Sequence, residues 1–128
     1  MPRLLLTSAF IASIALGAAS ASAACMKPNA EGAVEGRLSI GRFTDAADRP
    51  ETAFILRLPT AACLDGEDKD ERVGSTRTIH VYSADDQVQK ALRRLIGKTV
   101  LVRGRPFAQH TAHHHAPIVM EVTGIDVH

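Results

Sequence analysis

The chain contains no tryptophan, one tyrosine, four phenylalanines and two cysteines. Each scarcity excludes something. Without tryptophan and with so few other aromatics, the usual stacking platform for single-stranded nucleic acid is poorly supplied. Two cysteines without a C-x-x-C spacing exclude the paired-thiolate zinc modules and the thioredoxin-type redox motif. There is no Ser-His-Asp order, no cysteine set up for nucleophilic attack and no glycine-rich phosphate cradle, so the common hydrolase and nucleotide-binding signatures are missing. The only long apolar run lies at the N-terminus, Leu4 to Leu16, and it falls short of the roughly 20 residues that span a bilayer.

That run belongs to a leader. Arg3 precedes it and the small residues Ala21-Ser22-Ala23-Ala24 follow it, the order of a secretory signal peptide with its cleavage site. Removing residues 1–24 from the 128 leaves 104, one domain of residues 25–128. Of 15 basic residues only Arg3 is in the leader, so the remaining 14 balance the 14 acidic ones. A neutral mature chain argues against generic binding to nucleic acid or anionic membranes. Export to the periplasm or beyond brings Cys25 and Cys63 into an oxidising compartment, where a disulfide is the expected pairing. Lipid anchoring through Cys25 is the alternative, weakened by Ser22 at the position where lipoproteins carry an aliphatic residue.

Hydrophobic periodicity places strands over about 32–43, 52–58, 77–82, 98–107 and 117–127. Gly36 and Gly41 interrupt the first, as a strand bent into a small barrel requires. Pro59 is expected to stop the second, and the charged stretch 65–72 reads as a solvated loop without the calcium-loop pattern. After the third strand the period changes. Ser83 is the expected helix cap, Val88, Ala91, Leu92, Leu95 and Ile96 recur at helical spacing, and Gly97 is the stop. Three strands, a helix and two strands predict a mainly β fold: a small five-stranded barrel of the OB type with one α-helix between strands three and four.

Four of the six histidines, His110, His113, His114 and His115, fall between the last two strands. An ordinary connection would use Gly, Asn or Asp; this one has none and carries imidazoles instead. In extended backbone His113 and His115 share a side, and His110 across the bend adds a third nitrogen, so these residues with His114 are the candidate ligands for zinc or another divalent transition metal. Glu121 or Asp126 would add oxygen only if the last strand brought them back to the loop. An exposed polar loop that binds metal incidentally is the plain alternative. In an OB barrel this loop and the one between the first two strands, here 44–51, border the ligand face. Arg103 and Arg105, with Arg37 or Arg42, would add a basic patch, or merely solvate the outer wall.

Cys25 and Cys63, the segment Gly97-Lys98-Thr99-Val100-Leu101-Val102-Arg103-Gly104, then Phe107, His110-Thr111, His113-His114-His115 and Pro117 together resemble an exported bacterial family known only as a domain of unknown function. The resemblance implies a small exported barrel and a purposeful histidine loop, and no activity. The family usually has Gly and Thr where this chain has Ala112 and Ala116. The expected function is thus a non-catalytic binding module for a metal or small ligand. A protein-contact domain without physiological metal is the alternative, followed by a hydrolase working through metal-bound hydroxide. A cell-wall glycan is a further candidate ligand.

Overall fold

A computed structural model describes residues 24–128, so the expected leader, residues 1–24, lies outside the described residues except for Ala24. Five strands are present: β1 (Gly32–Thr44), β2 (Pro50–Asp65), β3 (Arg72–Tyr82), β4 (Thr99–Ala108) and β5 (Ile118–Val127), with one helix, α1 (Asp86–Arg94), between β3 and β4. They close into a barrel in the order β1-β2-β3-β5-β4, with β4 returning to β1. All pairs are antiparallel except β3 with β5, which run parallel across the helix-containing connection. This is the mainly β, OB-type barrel expected from the strand and helix order.

Closure depends on β1 serving two neighbours. Its first half pairs with β4 and its second half with β2, the change falling at Arg37. Gly36 sits at that bend, where an added Cβ would lie 2.6 Å from the Arg57 carbonyl oxygen. The interior is filled by alternate residues of every strand, among them Leu38, Leu56, Ile79, Val81, Val100, Val102, Ile118 and Met120, and is capped by Leu92 and Leu95 from α1 and the turn after it.

Three local expectations are corrected. β2 continues through Pro59, because pairing with β3 is interrupted between Arg57 and Ala62 and the proline needs no ladder donor there. β3 begins at Arg72 rather than near 77, and residues 66–71, which include the 3-10 turn Lys69–Glu71, separate it from β2. The helix cap is Asp85, whose Oδ1 accepts from the Gln87 and Val88 amides, while Ser83 Oγ accepts from the Asp85 amide one step earlier. Gly97 does follow the helix, at φ +85°.

The Cys25–Cys63 disulfide is formed. It lays the N-terminal segment along the end of β2: the Met26 amide donates to the Cys63 carbonyl, and the Asp65 amide donates to that of Met26.

Candidate functional site

The loop between β4 and β5 is exposed over residues 109–113 and turns inward from His114 to Ala116. It folds back over the outer face of the sheet, where register places Phe107 opposite Val119, Val119 opposite His80 and His80 opposite Ile55. Val119 is 0% exposed and Ile55 5%, although both occupy outward positions of their strands. Imidazole and phenyl rings stand beside them. His114 contacts the rings of both His80 and Phe107, which flank Val119, and His115 contacts His80 on one side and Phe43 on the other. The Phe43–His115 stack is close and nearly parallel, 4.2 Å between centroids at 5°.

The loop manages without glycine because side chains receive its backbone donors. The His110 amide donates to His114 Nδ1 at 3.1 Å, and the His115 amide donates to His80 Nδ1 at 3.2 Å. His113 N–H donates to Thr111 Oγ1, and His114 N–H to the Thr111 carbonyl. No residue of the loop adopts a positive φ. Both accepting imidazoles must keep a lone pair on Nδ1. Their basicity agrees: burial first, then neighbouring imidazoles, pushes His80 down to about 4 and lowers His114.

Glu51, at the start of β2, closes the arrangement. Its Oε1 lies 2.6 Å from His113 Nδ1 and its Oε2 lies 2.7 Å from His115 Nε2. An ionised carboxylate only accepts, so those two nitrogens carry the protons, and Nε2 of His113 and Nδ1 of His115 are the nitrogens left free of Glu51. The two imidazole hydrogen bonds, His115's first, keep the Glu51 carboxyl below its ordinary range. His115 is enclosed, its side chain 8% exposed, whereas that of His113 is 64% exposed. Asp45 stands on the same side. Its carboxylate accepts from the Ala47 and Arg49 amides and pairs with the Arg49 side chain, which shapes the β1–β2 loop so that Glu51 meets the histidines.

The four predicted histidines therefore fall into two pairs, His113 with His115 on Glu51, and His110 with His114 beside Phe107. Among the described residues no three His, Cys, Asp or Glu side chains form a ready-made group for a metal ion. Glu121 and Asp126 are turned to Arg105 and Arg103, at 3.4 and 2.8 Å, on the outer wall. The oxygen partner is instead Glu51, 62 and 64 residues from its histidines, and no spacing rule joins them. His80 and Phe43 were likewise invisible as partners of the loop until the register of the sheet was known.

A closed OB-type barrel with a histidine-lined connection between β4 and β5 is the class these features define. Residues 78–126 match the model of a family described as a domain of unknown function, DUF4431, a stretch that contains the helix and the whole histidine loop. No curated protein matches the chain.

Proposed function

We propose that this protein is a small exported, non-catalytic binding module that takes its ligand at the histidine loop, with a divalent transition metal as the ligand of first choice. One observation carries the reading: a single carboxylate, Glu51, holds one nitrogen of His113 and one of His115. A carboxylate behind an imidazole is a common support at metal sites, since it fixes the tautomer and raises the basicity of the other nitrogen. His113 Nε2 is the accessible donor. The site assembles on binding, as the exposed loop residues His110 and His113 and the half-buried His114 move to complete the shell.

Titration of the untagged protein with zinc, followed by calorimetry, tests this. One ion per chain at micromolar affinity or better is expected. Glu51→Gln should weaken binding by about tenfold to a hundredfold, the usual effect of losing such a support. The joint change His110→Ala and His113→Ala should abolish it. An unchanged isotherm in that double variant places the ion elsewhere and overturns the reading.

A further inference from the structure

A second site lies beside Phe107. A cleft of about 420 Å³ is lined by Pro28, Asn29, Asp70, Glu71, Phe107, Ala108 and His110. One wall is aromatic: the rings of Phe107 and His110 stack at 5.4 Å and 24°. The rest of the lining is largely polar. Asn29 comes from the segment pinned by the disulfide, and Asp70 and Glu71 from the 3-10 turn between β2 and β3. Among the described residues none of these three side chains enters an ion pair or a side-chain hydrogen bond. The guanidinium of Arg72, next in sequence to Glu71, is committed elsewhere, with Nε donating to the Gly66 carbonyl at 2.9 Å and Nη2 to that of Glu67 at 2.6 Å.

These properties select a ligand. The lining holds two carboxylates and neither Lys nor Arg, which disfavours phosphate, nucleic acid and acidic peptides. A purely apolar ligand would desolvate both carboxylates without compensation. What remains must offer many hydroxyl donors to two carboxylates and an amide, and an apolar face to a flat ring wall. A pyranose does both, with its axial C–H face against Phe107 and its hydroxyls towards Asn29, Asp70 and Glu71. We propose that this cleft is a saccharide-binding site, for a neutral or amine-bearing sugar; it shares His110 with the metal-binding reading but rests on Phe107, Asn29, Asp70 and Glu71, which that reading does not use.

The experiment is a backbone-amide NMR titration of the ¹⁵N-labelled protein, in the presence of a chelator so that metal plays no part. The probes are cellotetraose, chitotetraose and its de-acetylated counterpart, with free arginine and spermidine as non-sugar cations. Saturable shifts confined to residues around 28–29, 70–71 and 107–110 are expected with at least one of the three sugars. Asp70→Asn with Glu71→Gln should weaken binding about tenfold, the loss of roughly one charge-assisted hydrogen bond. Asn29 has φ 60°, so Asn29→Gly removes the amide while suiting the backbone. Phe107→Leu keeps an apolar side chain and removes the ring. Three results overturn the proposal: no saturable shift with any sugar, shifts centred elsewhere, or binding of arginine and spermidine with none of the sugars. Full sugar affinity in all these variants overturns it as well.

Discussion

His80 serves the loop as an acceptor, and that duty sets how the protein responds to acid. Its Nδ1 receives the His115 amide, and burial holds its basicity at about 4 against an ordinary 6.5. The unfolded chain takes up this proton near pH 6.5 and the folded chain only near 4. Between those values the unfolded state binds more protons, so stability falls as pH falls through that window and levels off below it. Glu51 adds a second loss further down. Its folded carboxyl is held below 4.5, so its contribution is present above that value and disappears as pH drops through the lowered one. His80→Asn keeps an acceptor oxygen near the position of Nδ1 and cannot titrate. Urea midpoints measured from pH 7 to 4 should show a shallower acid slope in this variant, with a remainder from His114, whose basicity is also lowered. An identical slope would assign the acid response to other groups.

At the scale of single residues the sequence was readable where chemistry is concentrated and unreadable where it is shared. Four imidazoles in nine residues announce themselves. Glu51 does not, because its meaning comes from the turn that Asp45 organises and from a partner more than sixty positions away. The missing Gly, Asn and Asp pointed correctly to an unusual loop, but the reason is conformational: imidazole nitrogens take the place of the backbone acceptors that a conventional turn would supply.

At the scale of elements, alternation in β1, β3, β4 and β5 and the helical stripe were sufficient for strand count, helix position and barrel type. They failed at the β2–β3 corner. Proline and dense charge are ordinary signs of a loop, yet a break in pairing between Arg57 and Ala62 accommodates Pro59 inside a continuous strand. Alternation alone also gives no sign that Ile55 and Val119, on the outward face of β2 and β5, are covered. A similar irregularity lies between β4 and β5 at Arg103 and Gly104. There Gly104 is required by close approach: a methyl group would run into the Glu121 carbonyl and crowd Met120, a core residue. Gly104→Ala should cost about 2 kcal/mol or more, the range for overpacking a closed interior. Equilibrium urea unfolding measures it, and a change under half of that would mean that β5 shifts freely at the bulge.

At the scale of the molecule, a neutral domain of about a hundred residues has a limited core, and a cross-link between residues 25 and 63 is a large part of its stability. Replacing both cysteines by serine should lower the unfolding free energy by about 3 to 4 kcal/mol, from the entropy of a loop with a sequence separation of 38. Denaturant midpoints of the double variant against the oxidised protein give the value, and a loss below about 1 kcal/mol would mean that the Met26 backbone bonds alone hold the segment.

The same cross-link reaches beyond stability. It seats Met26 on β2, and two residues further on Pro28 and Asn29 become one side of the sugar cleft, where the Asn29 amide donates to the Pro106 carbonyl. The five strands are built from later residues, beginning at Gly32. Oxidation of the two cysteines therefore shapes a surface as well as adding stability, because it sets where Pro28 and Asn29 lie against that sheet.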